Sequence, residues 1–260
     1  MSEFEELKKL LNDNSWPKAI PDPLICDVDS EEDKHLRASE ILSFMVGEPL
    51  QNKKVLDYGC GEGHLAVQAA KSASLSIGYD LTAQGSAVWE EQNGNCLLTT
   101  DFSKIENERF DVIVLYDVLD HSIEEDPSSI IKKAVDLAAK GGVIHIRCHP
   151  WCGRHGGHLY QQTNKAFVHM VFTDDELQEM GYELEPVRKI VRPVIEYAKW
   201  FKDAGIAEIK PLGDYKDPER FFRRNPQVSN RLKKAIGLKK DVFPKAQLRQ
   251  SFLDYVVKVV

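Results

Sequence analysis

Three glycines follow a short apolar run at two-residue intervals: Val55-Leu56-Asp57-Tyr58 leads into Gly59, Gly61 and Gly63. A strand that delivers such glycines into a helix makes a loop whose backbone can lie against a ligand with no side chain between them. The dinucleotide pattern G-x-G-x-x-G wants its third glycine one position later, where this chain has His64. The acidic residues point the same way. Asp57, Glu62, Asp80, Asp101, Asp117 and Asp120 fall at the expected carboxyl ends of strands. That rim suits a ligand carrying a sulfonium and an ammonium and opposes a diphosphate. Asp80 lies 21 residues past Gly59, close to the ~20 expected of a carboxylate that holds ribose hydroxyls.

A second group of reactive side chains sits in Arg147-Cys148-His149-Pro150-Trp151-Cys152-Gly153-Arg154-His155-Gly156-Gly157-His158-Leu159-Tyr160. Three readings stay open. His149, His155 or His158 takes a proton from an acceptor, with Arg147 and Arg154 holding its phosphate or carboxylate. Alternatively His149, Cys152, His155 and His158 ligate zinc, although their spacing matches no standard finger. Or the histidines and Tyr160 bridge backbone groups in a compact lid. The catalytic candidates are His149, His155, His158 and Tyr160, and no metal is assigned.

Regular elements must position these groups. Ser2 and Glu5 cap a first helix carrying Phe4, Leu7, Leu10 and Leu11, and Ser30 with Asp33 opens a second one that ends at Gly47. From Lys54 the pattern alternates. Strands are expected at 55–58, 75–79, 96–99, 110–115 and 143–147, and helices at 65–73, 83–91 and 130–139. The run FDVIVL at 110–115 is apolar on both faces, as a central parallel strand should be. Two more strands are expected, at 182–191 and at 252–260. The implied fold is α/β, a doubly wound, mostly parallel seven-stranded sheet with N-terminal helices and a basic helical insertion before the last strand. The expected division is 1–50 as an N-terminal helical extension or lid, 51–191 as the core, 192–250 as the insertion and 251–260 as the final core strand.

In VLDYGCGEGHLA and FDVIVLYDVLDH the chain resembles the class I S-adenosylmethionine-dependent methyltransferases, over roughly residues 54–181. The resemblance implies S-adenosyl-L-methionine as cofactor, on a Rossmann-like sheet. Asp57, Gly59, Cys60, Gly61 and Gly63 would surround its methionine end, and Asp80 with Leu81 its ribose. Asp101 and Phe102 would meet the adenine. Tyr116, Asp117 and His121 would line the methyl-transfer opening. The run Val118-Leu119-Asp120-His121 is similar to the V-L-E-H element of the small-molecule branch, with Asp in place of Glu. The strand before it ends in Leu-Tyr-Asp-Val rather than the N/D-P-P-Y/F of DNA amino-methylating enzymes, and no Pro-Cys pair is placed for cytosine C5 chemistry. A small, anionic acceptor methylated on O or N is the implied substrate.

Charge supplies the alternative. Residues 1–185 hold 16 basic and 33 acidic side chains, whereas residues 186–260 hold 18 and 8. Basic residues mixed with aromatics, as in Arg220-Phe221-Phe222-Arg223-Arg224, can grip a nucleic-acid backbone. An RNA- or DNA-directed methyltransferase is therefore the second reading. A basic segment packed against the chain's own acidic body is the simpler explanation. The five cysteines are odd in number and scattered, the start of the chain is acidic and amphipathic, and no apolar run spans a bilayer. A cytoplasmic protein with reduced thiols and no membrane association is expected.

Overall fold

The computed structural model describes residues 2–19, 30–85, 87–90, 94–186, 190–192, 194–205, 219–235 and 253–259. Six strands form one sheet: β1 Lys54–Tyr58, β2 Leu75–Tyr79, β3 Cys96–Thr99, β4 Phe110–Tyr116, β5 Ala138–Cys148 and β6 Leu253–Lys258. Their order is β3-β2-β1-β4-β5-β6; only β6 runs antiparallel, against β5. The order reverses between β1 and β4, where a doubly wound sheet opens a crevice at its carboxyl edge.

Strand periodicity sends alternate side chains to opposite faces. Leu56, Ile113, Leu115, Ile144 and Ile146 face α5 (Pro127–Leu137) and α8 (Val194–Asp203), meeting Ile130, Ile131, Ala134, Tyr197 and Phe201. Val55, Val112 and Val114 face α2 (Glu31–Ile41) and α3 (His64–Ala70), meeting Ala38, Leu65 and Ala69. Ser30 caps α2 by accepting from the Asp33 amide, and the helix runs on through a π-turn, Leu42–Val46, to Gly47 at φ +62°. α4 (Ala87–Glu90) follows β2.

A second apolar cluster lies apart from the sheet. It joins α1 (Glu3–Leu11), α6 (Val168–Val171), α7 (Asp174–Glu179), α9 (Glu219–Arg224) and α10 (Pro226–Ala235) through Leu7, Trp16, Phe167, Phe172, Leu177, Phe222 and Leu232. Phe221 and Phe222, the aromatics of the basic run, are buried there. Arg231 reaches back to Glu176 at 2.7 Å and Glu3 at 3.1 Å. This part of the basic quarter packs against the chain's own acidic surface.

Two expectations need correction. The sheet has six strands among the described residues, not seven. Residues 182–185 form no strand: the Tyr182 amide bonds the Leu177 carbonyl, the Glu183 amide bonds Gln162, and Tyr182 and Leu184 pack on the second cluster. Residues 187–189 of that segment lie outside the described residues. The helix expected to reach residue 139 stops at Leu137, because Ala138 already pairs with Phe110 and the register shifts before Val143 joins Val112. The ends of the helix expected at 83–91 also fall partly outside the described residues, as do residues 206–218 and 236–250 of the basic segment. No helix of the described residues is long and apolar enough to cross a membrane.

Candidate active site

The glycine loop is fixed by main-chain bonds at the ends of β1 and β2. The amides of Gly59 and Cys60 both donate to the Tyr79 carbonyl, at 2.7 and 3.0 Å. Asp80 accepts from the Gly61 amide at 2.8 Å and the Thr82 amide at 3.3 Å, and Trp89 donates to the Gly61 carbonyl at 3.0 Å. Gly59, Gly61 and Gly63 all have positive φ, at +76°, +53° and +90°. They do different work. A Cβ on Gly59 would stand 2.6 Å from Val118 and one on Gly63 2.4 Å from Leu98, so both are needed for packing. A Cβ on Gly61 would meet nothing within 4 Å, because that position faces the open groove.

Two clefts meet at Gly59. One, of about 310 Å³, is bordered by Tyr79, Asp80, Leu81, Asp117, Val118 and His121. The other, of about 380 Å³, is bordered by Arg37, Asp57, Cys60, Gly61, His64 and Tyr116. They flank the crevice where the strand order reverses. Asp101 is exposed and caps the turn Phe102–Lys104 by accepting from the Ser103 amide; Phe102 packs edge-on against Tyr79. Neither residue borders either cleft. Lys34, Arg37 and Trp89 were not singled out from the sequence. Basic residues on an otherwise acidic helix were the available signal for the first two, and Trp89 carried none.

Asp57 sits beneath the loop with its carboxyl buried and one oxygen, Oδ2, unpartnered. Burial, and then the charge of Asp80, raise its pKa to about 7. A group raised in this way is protonated below neutrality, so a cationic ligand beside it binds best once the proton has left. Affinity for a sulfonium ligand is expected to rise by up to about tenfold per pH unit between pH 5 and 7 and to level off above. Asp57→Asn should flatten that profile. Calorimetry in buffers of different ionisation enthalpy checks both results, since proton release below pH 7 appears as a buffer-dependent heat.

Beyond β4 and β5 the His-rich loop folds inward. Asp117 takes φ +54° just after β4, and its amide bonds the Arg147 carbonyl at 2.9 Å. His149 Nε2 lies 3.4 Å from Asp117 Oδ1 and 3.8 Å from Asp120 Oδ2, and Asp120 also accepts from the His149 amide at 2.8 Å. The His149 ring is 4.4 Å from His155 and 5.3 Å from His158, and His158 is 4.5 Å from His121. Tyr160 packs at 5.7 Å from His155. All three loop histidines are buried. Burial, then the neighbouring imidazoles, hold His155 well below the ordinary imidazole range and His158 at about 3, so both rings are neutral. Burial raises the Asp120 carboxyl.

The four-ligand set of the zinc reading does not assemble within the loop. Cys152 turns into the second apolar cluster, where burial raises its thiol to about 11. Arg147 is also not turned to an acceptor. It forks onto Asp254 of β6, one branch at 2.8 Å, and lies over the rings of Phe44 and Tyr116. Arg154 donates to the Lys18 carbonyl.

A sequence family described as a methyltransferase domain matches residues 30–207 of this chain. The chain belongs to that methyltransferase family. A ubiquinone biosynthesis O-methyltransferase of Pseudomonas aeruginosa is 27% identical over 172 residues, covering 63% of this chain and 68% of that protein. The plantazolicin methyltransferase BamL, solved with a triazolic analogue and S-adenosylhomocysteine, shares the fold at a TM-score of 0.52 and 17% identity, covering 88% of this chain and 87% of that one. The phosphoethanolamine N-methyltransferase 2 of Haemonchus contortus, solved with S-adenosyl-L-methionine, gives a TM-score of 0.52 at 16% identity, covering 86% and 52%. The methyltransferase described here is of class I, and S-adenosyl-L-methionine is its cofactor. The site fits that group: Gly61 leaves room against the loop backbone, and the buried Asp57 oxygen lacks a partner that a cation would supply.

Proposed function

We propose that the enzyme transfers a methyl group to an oxygen or nitrogen of a small acceptor that enters beside Asp117 and His121. Asp57, Gly59, Cys60, Gly61 and Gly63 hold the methionine end of the cofactor, with Asp80 and Leu81 at its ribose. Tyr116, Asp117 and His121 border the opening where the methyl group is presented. The observation that carries this reading is the convergence of His149 and His158 on Asp117 and His121, which border the cleft. Methyl transfer needs little more than an aligned nucleophile ~3 Å from the sulfonium methyl and a route for its proton. The neutral His158 ring and the carboxylates at the opening offer that route. The O-methyltransferase of P. aeruginosa among the relatives favours an oxygen acceptor. For an anionic acceptor, Arg37 at the second cleft is the cation best placed to hold it, since Arg147 serves Asp254.

The test is turnover of labelled S-adenosylmethionine against pooled small metabolites, separated by charge, and against pooled RNA. Label in a small product supports the proposal, and label in RNA alone overturns it. His158→Ala is expected to lower kcat by roughly 10²-fold or more and leave S-adenosylhomocysteine affinity within about twofold. Loss of that affinity instead would place His158 in a structural role. The nucleic-acid reading has less support than the charge distribution suggested, because Phe221 and Phe222 are buried and cannot stack on bases.

A further inference from the structure

We infer that Asp117, Asp120, His121 and His149 form a binding site for one divalent transition-metal ion at the methyl-transfer opening. The relevant oxygens and nitrogens already face one another. His149 Nε2 stands 3.4 Å from Asp117 Oδ1 and 3.8 Å from Asp120 Oδ2, and His121 Nε2 stands 4.0 Å from Asp120 Oδ2. One ligand atom from each of Asp120, His121 and His149 falls within 4.8 Å of the other two. Ligands at about 2.1 Å from a metal sit about 3.0 to 3.4 Å apart in octahedral or tetrahedral arrangements, so the contacts of His149 with both carboxylates and of His121 with Asp120 need to close by about an ångström or less.

Charge balance makes the same demand. Asp120 is fully buried, and its Oδ1 has no hydrogen-bond partner. Asp117 stands beside it on the same imidazole. Arg147, whose field reaches Asp117, is itself held by Asp254. The buried, unpartnered Asp120 carboxylate wants a positive charge, and a divalent ion held with Asp117, His121 and His149 supplies it. The second group with metal-like spacing, Glu31, His35 and His64, differs in this respect: Lys34 already bridges Glu31 and Glu62 there.

Two imidazoles with two carboxylates favour manganese, iron, cobalt, nickel or zinc over magnesium, which prefers oxygen ligands and water. Asp117 and His121 border the cleft, so an ion held by the four side chains would have room there for an acceptor oxygen. An acceptor hydroxyl bound there becomes more acidic. Its proton passes by way of the neutral His158 ring to solvent, the oxygen attacks the sulfonium methyl, the carbon–sulfur bond breaks, and S-adenosylhomocysteine departs with the electron pair on sulfur. The role rests on the methyltransferase reading and narrows the acceptor atom to oxygen; the metal site itself does not depend on it.

The experiment uses the full chain. Elemental analysis of the purified protein is followed by chelation and titration with Co²⁺, read by its visible absorption, and with Mn²⁺, read by electron spin resonance. Binding of one equivalent at micromolar or tighter affinity is expected, weakened at least tenfold in both His121→Gln and Asp120→Asn. His121 is half exposed and its variant should fold; circular dichroism melting checks the second. No stoichiometric metal and no saturable Co²⁺ binding would overturn the site. So would binding that both variants leave unchanged. S-adenosylhomocysteine calorimetry on the chelated protein separates the two readings: affinity retained without metal binding removes the metal alone, and affinity absent in every state removes the methyltransferase assignment beneath it.

Discussion

Gly61→Val is expected to lower S-adenosylhomocysteine affinity by at least 100-fold while the protein stays folded. The reason is the direction of the missing Cβ. At Gly59 and Gly63 it points into Val118 and Leu98, so a side chain there fights the core. At Gly61 it points into the cleft, where the only steric cost in the empty protein is a residue held at φ +53°. That conformation costs an L-residue about 1–2 kcal/mol, which a chain of this size tolerates. A bound ligand lying against the loop would meet the isopropyl group directly. Gly63→Val is the contrasting variant: it should lower the melting temperature strongly, and its affinity loss would follow from misfolding. Equal melting losses in the two variants, or unchanged affinity in Gly61→Val, would show that the groove is not where the cofactor lies.

The second large effect belongs to the last strand. Asp254→Ala should destabilise the protein by about 3–5 kcal/mol, read as a shift in urea midpoint at unchanged slope. Asp254 is buried on β6 and its carboxylate takes the guanidinium fork of Arg147 on β5. Removing it strands a mostly buried cation between Phe44, Tyr116 and the sheet. The pair need not be a net stabiliser for this to hold, because the penalty comes from the partner left behind. Hence Arg147→Met with Asp254→Leu should recover much of the loss. A midpoint close to the unaltered protein's in Asp254→Ala would mean that Arg147 finds water or another carboxylate.

The sheet core was readable because each signal there is local. Val55 to Tyr58, Phe110 to Leu115 and the glycines between strand and helix declare themselves within a few residues. The closing strand was also plain from its apolar run, although its antiparallel sense was not. Tyr182 to Val191 reads as another strand because its composition is strand-like; at residues 182–185 what decides otherwise is the availability of Leu177 and Gln162 as partners, which are contacts of tertiary structure. The His-rich loop was recognised as reactive, but its grouping was misjudged. Spacing suggested Cys152 as a companion to the histidines, whereas the fold turns Cys152 into an apolar cluster and brings Asp117, Asp120 and His121 from the β4 end instead. No sequence spacing reports a meeting between residues about thirty positions apart. The contribution of α2 to the cleft was hidden for the same reason.

The ion pair from Arg231 to Glu3 spans 228 residues, and this separation bears on how the chain is made. Strands β1 to β5 and the helices between them are complete once residue 148 has left the ribosome, so most of the sheet can form during translation. Helix α1 emerges before the sheet yet has its full place in the second apolar cluster only when Phe221, Leu232 and Arg231 arrive. Until then its apolar stripe of Leu7 and Leu11 has only the earlier half of that cluster, Trp16 and Phe167 to Leu177, to cover it. Nascent chains released before residue 220 are expected to bind chaperones through α1, and chains carried past residue 235 to shed them, so a helix made before the sheet is among the last parts to be fully covered.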